Sequence, residues 1–442
     1  MKTIIKIKPS RKTKLLKSKK TKIQKKLRTK DKKQHQKKHS FYIVRCNNGL
    51  DDTILSRHLQ KLGLIPNSKA MRYMEKQYNI LASKNKLSMT KYCYSNKTNL
   101  IAKIQIPKGL VSADVFFYHI NNLNLDKPFY KYDTFLSNTI NIDYSMIDKG
   151  MIYSNIIKYN SRGNLNLNNF IEIFPLSSKE QFQFPSNYIL RPIYGFGGSG
   201  ILYVHNPNDL QKALKYYNTH KDIRNKLYSL EEITVSRIIT DLLLFKGRKF
   251  HLRMYYIVAI LEGEISFFLL DKGEIFTAAK PYDLDVPFSK SVHDSHYNST
   301  DVDYFVPNDL TLENISSLKE KNSYREDIFD TILNGVIKIA KGISNIVLGL
   351  SNGKPNSLLF ENQKNGYYIY GLDILVKDNL EPVLVECNKQ PGFINKNTNK
   401  TTYLSELIYG WLNEIILEPL FKHPGKATSY ARKHKTYISP DN

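Results

Sequence analysis

Three stretches of this 442-residue chain hold residue types whose spacing allows them to do chemistry together. The first is "GLDILVKDNLEPVLVECN", Gly371 to Asn388, which alternates an apolar run, a polar turn and a second apolar run. Asp373 and Glu386 are equidistant from the centre of the turn Lys377–Pro382. A hairpin regular about that turn places the two carboxylates directly across from each other. Asn388, two positions further on, shares their face because side chains alternate along a strand. Two carboxylates side by side in an apolar setting repel unless something positive sits between them. An oxygen-only set of this kind suits a hard cation, Mg2+ with phosphate oxygens completing its shell. The other reading pairs one carboxylate with a Lys or Arg and turns the second to water.

The second stretch is "YILRPIYGFGGSGILYV", in which Gly195, Gly197, Gly198 and Gly200 separate two strand-like runs. Glycines there let backbone N–H groups approach a phosphate closely. A tight turn needing positive φ explains one or two of them, but not all four. No GK[ST] opens a helix after the loop, so this is not a P-loop. The third stretch is "GRKFHLRMYYIV". A strand here puts Lys249, His251 and Arg253 on one face and Phe250, Leu252 and Met254 on the other. Beside a metal–phosphate site, three such groups would neutralise the charge of a transferring phosphoryl group. The plainer reading is a solvated face of an edge strand.

The elements that must hold these stretches mix strands and helices without strict βαβ alternation. The fold class expected is α/β or α+β with antiparallel sheet. "FYIVRC" and the following "NNGLDDTILSRHLQKLGL" suggest a βα start. Strands are expected at "NYILRPI", "ILYVH", "EEITVSRII" and "GRKFHLRMYYIVAI", with a helix over "NDLQKALKYY". "SFFLLDKGEIFTAA" suggests a hairpin turning at Asp271–Glu274. A polar linker is expected over 282–325, then a long amphipathic helix and a final helix over "YLSELIYGWLNEIIL". Residues 65–140 show no motif, and the chain has no internal repeat.

Residues 1–40 hold 18 Lys/Arg against the single acid Asp31, so most of the net charge of +26 lies there. Such a segment cannot bury a core and is expected to be disordered on its own. It suits an acidic partner: nucleic acid, an acidic protein tail or an anionic surface. It also suits nuclear import, or no specific partner. The three cysteines, Cys46, Cys93 and Cys387, have no disulfide or zinc spacing. No apolar run approaches the roughly 20 residues that span a bilayer, and the basic N-terminus lacks an apolar signal core. The expectation is a soluble, cytoplasmic protein without membrane insertion, the tail also admitting a nuclear location.

Taken in order, the three stretches resemble the tubulin-tyrosine-ligase-like family of ATP-grasp enzymes. "RPIYGFGGSGI" (Arg191–Ile201), "KFHLR" (Lys249–Arg253) and "GLDILVKDNLEPVLVECN" carry the resemblance, which covers roughly 140–425. It implies a basic disordered tail (1–40), an N-terminal α/β domain (41–143), an ATP-grasp central domain (144–236), a C-terminal catalytic domain (237–425) that closes the ATP site, and a tail (426–442). It also implies ATP and Mg2+. Asp373, Glu386 and Asn388 match the family's metal ligands. Arg191 and Lys249 match its ATP-phosphate ligands, and Arg253 the residue that steadies the reacting carboxylate and phosphate. Lys249, Arg253 and Glu386 are thus the catalytic set. Ser236, Arg237 and Ile239 fall where the family's hinge meets adenine. Lys149 matches a further ATP-binding Lys, while His251 and the loop glycines complete the nucleotide site. Three positions depart from the family pattern. Arg191 replaces a Lys, His251 an Asp, and Phe276 an Arg.

The activity implied is a carboxylate–amine ligase that adds Tyr, Glu or Gly to a protein through an acyl phosphate. An acidic tubulin C-terminal tail would be the acceptor. Three alternatives stand beside it: an ATP-grasp kinase of an anionic small molecule such as an inositol phosphate, an ATP-binding relative without activity, and a nucleic-acid binder acting through residues 1–40.

Overall fold

The computed structural model describes residues 40–44, 52–68, 72, 76, 80, 115–118, 134–137, 140, 151–159, 169–178, 181–193, 200–222, 226–283, 289–295, 304–316, 328–359, 363–389, 391 and 398–440. The first unit contains β1 (Ser40–Val44), α1 (Asp52–Lys61), β2 (Ile65–Pro66), β3 (Val115–Tyr118) and β4 (Thr134–Ser137), followed by α2 (Ile152–Tyr159). A four-stranded antiparallel sheet comes next. It is built from β5 (Phe174–Pro175), β6 (Tyr188–Pro192), β7 (Leu202–Val204) and β8 (Ile233–Arg237), with α3 (Pro207–Thr219) packed on it. Its core is separate, formed by Tyr188, Leu190, Val204, Ala213, Tyr217 and Val235.

The rest of the chain builds the large sheet. Its strands are β9 (Leu244–Phe245), β10 (Arg248–Leu261), β11 (Glu264–Thr277), β12 (Tyr304–Val306), β13 (Ile315–Ser316), β14 (Gln363–Val376), β15 (Pro382–Lys389) and β16 (Tyr437–Ile438). Its helices are α4 (Ile328–Ser351), α5 (Thr398–Leu412) and α6 (Ala427–Ala431). The order across the sheet is β12-β11-β10-β14-β4-β3-β1-β2. One edge of β14 carries β4 on residues 363–366 and β15 on residues 370–376. The sheet therefore runs through the domain boundary expected at 143, with β4 parallel to β14.

β10 lies inside this sheet, between β11 and β14, so it is no solvated edge. Its apolar face packs Phe250, Leu252, Met254 and Tyr256 against Ile332, Val336, Ile339 and Val347 of α4. On the opposite face Tyr255, Ile257, Ala259 and Leu261 meet α1, α5 and the segment after it, through Leu55, Ile408, Trp411 and Ile415. Lys249, His251 and Arg253 continue that second face beyond the helices.

Several expectations need correction. Residues 264–277 form one strand, and the turn falls at Glu262 and Gly263, whose φ of 50° and 82° suit a two-residue hairpin loop. Leu270–Lys272 instead form an irregularity opposite Tyr255, between the pairs Met254–Gly273 and Tyr256–Leu269. Gly273 is required by close approach, since a Cβ there would lie 2.3 Å from the Arg253 carbonyl oxygen. The expected linker contains β12, paired with β11, and β13, paired with β9. Residues 426–440, expected as a tail, supply α6 and β16, and β16 pairs with β11. Finally, α4 has 24 residues and is long and apolar enough, by length and composition, to cross a bilayer; half of its most apolar stretch is buried inside the protein.

Candidate active site

Glu274, Arg253, Asp373 and Glu386 stand in one row across β11, β10, β14 and β15. Arg253 grips Asp373 with two prongs, Nε donating to Oδ1 and Nη2 to Oδ2 at 3.0 Å. Such bidentate, charge-assisted pairs are strong and directional. Burial opposes the Arg253 charge, but Asp373 overrides it and holds the guanidinium above its ordinary range. Gly371 makes room for this geometry. A Cβ there would stand 2.8 Å from Arg253 Cδ and from Pro391 Cβ. Glu274, buried behind Arg253, accepts a hydrogen bond from the Tyr255 hydroxyl.

Asn388 Nδ2 donates to Asp373 Oδ2 at 2.7 Å and to Glu386 Oε1 at 2.8 Å. One atom-sized point thus already lies within hydrogen-bond reach of both carboxylates. The oxygen and nitrogen of an amide exchange places on a flip, so the same seat can present Asn388 Oδ1. Two carboxylates and an amide fit Mg2+, whose remaining positions phosphates and water would fill. No group of three or more His, Cys, Asp or Glu suited to a metal occurs among the described residues, so the protein alone offers an incomplete shell. Asp373 is thus paired with an arginine, as one of the two sequence readings expects for one carboxylate, and its Oδ2 accepts from both Arg253 and Asn388. Cys387, between Glu386 and Asn388, points the other way, into the core, where burial raises its thiol pKa well above the ordinary value.

Cations approach from two directions. Arg191 comes from β6 of the small sheet, is 6% exposed, and within electrostatic reach has Glu386, Tyr203 and Asp373. Among the described residues no acceptor meets its buried Nε and Nη2 atoms. Two uncompensated N–H donors in a buried place are costly, and an anion would satisfy them. Burial lowers the Arg191 pKa, and both carboxylates oppose that. Lys249 lies on β10. Burial lowers its ammonium to about 8, with Asp294 opposing and Arg191 adding to the shift.

His251 keeps its place between Lys249 and Arg253 on the site face. Its Nε2 is 3.8 Å from Asp373 Oδ1, and its Nδ1 is 2.6 Å from Ser295 Oγ. Its ring stacks on Phe276, its partner across the sheet, with centroids 5.0 Å apart. The Arg253 guanidinium lies 5.4 Å from the same Phe276 ring, at cation–π distance.

Of the residues matched to the family's hinge, Ser236 is buried on β8, with no hydrogen-bond partner for Oγ among the described residues. Arg237 is exposed and donates to Gln183, and Ile239 is half-buried. Gly200 lies at the start of β7 with its carbonyl bonded by the Tyr217 hydroxyl at 2.7 Å. Lys149, Gly195, Gly197 and Gly198 lie outside the described residues. Sequence reasoning missed Glu274, Tyr255, Asp294 and Ser295. Nothing in "VHDSH" or "KGEIF" has a spacing that announces a site.

A strand of cations, a hairpin bearing two carboxylates and an amide, and a separate small sheet that supplies Arg191 together make an ATP-grasp arrangement. The solved C-terminal domain of Pby1 from K. lactis, described as an ATP-grasp enzyme interacting with the mRNA decapping enzyme Dcp2, shares the fold. It matches with a TM-score of 0.50 and 16% identity over 88% of this chain and 95% of that one. Residues 142–424 match the model of the tubulin-tyrosine ligase family, and the chain belongs to that family. Among curated relatives, the probable tubulin–tyrosine ligase PBY1 of Saccharomyces cerevisiae is 24% identical over 256 residues, 50% of this chain and 32% of its own. The probable alpha-tubulin polyglutamylase Ttll1 of Tetrahymena thermophila is 27% identical over 211 residues, 47% of this chain and 48% of its own. The chain thus spans less than half the length of these relatives.

Proposed function

We propose that this chain is an ATP- and Mg2+-dependent ligase that joins an amino acid to an acidic protein, with tubulin tails as the leading acceptor. The observation that carries the reading is the convergence of Asp373, Glu386 and Asn388 beside Arg253, with Lys249 and Arg191 able to face an anion. The names of the relatives, a tubulin–tyrosine ligase and a tubulin polyglutamylase, support the acceptor class.

Bound Mg2+–ATP would supply the phosphoryl group that activates a carboxylate as an acyl phosphate, from which an amine displaces phosphate. Asp373, Glu386 and Asn388 would hold the metal. Arg191 and Lys249 would bind the nucleotide's phosphate oxygens, and Ser236, Arg237 and Ile239 would meet its adenine. Arg253, fixed by Asp373, would offer the rest of its guanidinium to the reacting carboxylate. These donors are aimed in advance, so little reorganisation is needed as charge builds. Phe276 favours a second reading, an ATP-binding relative without transfer activity, because an arginine of the family pattern is absent there.

The test incubates the full chain with Mg-ATP, mixed amino acids and tubulin, and reads intact tubulin masses, with Glu386→Gln as control. A discrete increment lost in the control establishes the ligase, and its size names the amino acid. Nucleotide binding with no increment rejects tubulin ligation and supports the second reading.

A further inference from the structure

Asp373 holds Arg253 from the β14 side, and a second carboxylate faces it from the β11 side. Glu274 is the register partner of Arg253 across β10 and β11. Side chains directly opposite in an antiparallel pair share a face, with Cβ atoms about 5 Å apart. The adjacent pair on that face shows how close such partners come: the rings of His251 and Phe276 stack 5.0 Å apart. Gly273 draws the β11 backbone against the Arg253 carbonyl, where a Cβ would leave no room. Tyr255, two positions beyond Arg253 and on its face, donates its hydroxyl to Glu274 Oε2. Arg253, Tyr255 and Glu274 are 6%, 0% and 2% exposed, so the three form one buried cluster.

We propose that Glu274 is a positioning residue for Arg253: pinned by the Tyr255 hydroxyl, its carboxylate backs the guanidinium from β11 while Asp373 grips it from β14, so that Arg253 keeps its aim at the reacting carboxylate. The role rests on the place of Arg253 in the proposed function. There Asp373 would serve two cations, Arg253 and a metal, so its hold on the arginine is shared. Glu274 lies across Arg253 from Asp373, Glu386 and Asn388, on the side away from the metal seat. An arginine between two carboxylates keeps a charged partner when one of them is drawn upon. The electrostatics agree with the geometry. Burial opposes the Arg253 charge, Asp373 offsets that most, and Tyr255 and Glu274 add to the support. Burial also raises the Tyr255 phenol well above its ordinary range, with Glu274 adding to the rise, so the hydroxyl keeps the proton it donates.

The test follows water exchange of the Arg253 Nε–H proton by NMR of the arginine-labelled, full-length chain without metal, the signal being assigned by its absence in Arg253→Lys. Glu274→Gln keeps the shape and an acceptor for Tyr255 and removes only the charge. It should quicken that exchange roughly tenfold, as loss of a contact to a charged group would. Tyr255→Phe should quicken it by less, and Glu274→Asp, which keeps the charge, should stay nearer to wild type than Glu274→Gln. A role in packing alone would leave Gln indistinguishable from Glu. An unchanged exchange rate in folded Glu274→Gln overturns the proposal. If Glu274→Gln does not fold, the Tyr255→Phe rate decides the matter in the same way. Glu274→Gln should also lower turnover with tubulin by more than it weakens Mg-ATP binding, since Arg253 faces the reacting carboxylate and not the nucleotide. Faster exchange with unchanged turnover, or with none in the wild type, would instead count against the proposed function and leave Glu274 its hold on the arginine.

Discussion

The rings of His251 and Phe276 stack across β10 and β11, 5.0 Å apart and 7° from parallel. These are two of the three positions at which the chain departs from the family pattern. The resemblance puts an Asp and an Arg at these positions, and in this chain aromatic rings stand at both. His251→Asp alone would bury a carboxylate without a cation, close to Asp373, and lose the bond to Ser295. The expected cost is about 3 kcal/mol in urea unfolding. Adding Phe276→Arg should return much of it, with a coupling energy above about 1 kcal/mol. A double variant no more stable than His251→Asp would show that the two do not act as a unit.

Gly371→Ala forces a methyl group against Arg253 Cδ and Pro391 Cβ. The arginine must lift from Asp373. Turnover should fall by about 100-fold, the usual price of misplacing a reacting group by an ångström. Metal-independent nucleotide binding should change little. A variant with wild-type turnover would show that the Arg253–Asp373 geometry is not needed for catalysis.

The lowered pKa of Lys249 sets the sign of the pH response. Below about 8 the ammonium is charged, and above it the cation is lost. Affinity for Mg-ATP should therefore decline as pH rises through that value. Lys249→Arg should abolish the decline, because guanidinium stays charged. Stability of the ligand-free protein moves the opposite way. Between about 8 and 10.5 the unfolded chain holds a proton that the folded one has lost, so this group's contribution to stability improves as pH rises. Calorimetry at stepped pH reads the binding, and denaturant titration reads the stability.

Glu262, at the tip of the β10–β11 hairpin, accepts hydrogen bonds from the backbone N–H groups of Gly425 at 2.5 Å and Ala427 at 2.9 Å. It thereby satisfies donors at the start of α6. Glu262→Ala should cost about 1 kcal/mol, as loss of a helix cap does. It should also raise hydrogen exchange in residues 425–438 while leaving nucleotide affinity unchanged. Unaltered exchange there would mean that other contacts, such as Thr428 to the Leu261 carbonyl at 2.6 Å, suffice.

The core of the site was legible because strand alternation and turn symmetry leave few choices. Lys249, His251 and Arg253 share a face, and Asp373 stands opposite Glu386. The second result came through two offsetting features. Pro382 belongs to the strand, paired with Val376, and the register shifts by one residue between Asp373 and Ile374. A turn read one residue too long and an uncounted bulge cancelled. Asp271–Glu274 reads as a turn but is strand, because Gly273 answers a close approach to Arg253, a need that local sequence does not reveal. Ser295 and Glu274 were hidden for a related reason. Their partners, His251 and Tyr255, come from tertiary packing and not from chain proximity.

β14 joins strands made long before it. Arg253 and Asp373 are 120 residues apart, and Asn365 donates to the Phe135 carbonyl across 230 residues. On a growing chain the β10–β11 hairpin can close early, but the other edge of β10 then waits bare for β14. That edge is the mostly apolar run Leu252–Ile260, open to pairing with any neighbouring chain. Such long-range closures are slow, and their intermediates are prone to aggregate. Synthesis of this protein therefore passes through an interval in which the strand bearing Lys249 and Arg253 offers an unpaired edge, and a chaperone that shields strand edges would have its greatest effect before residue 363 emerges.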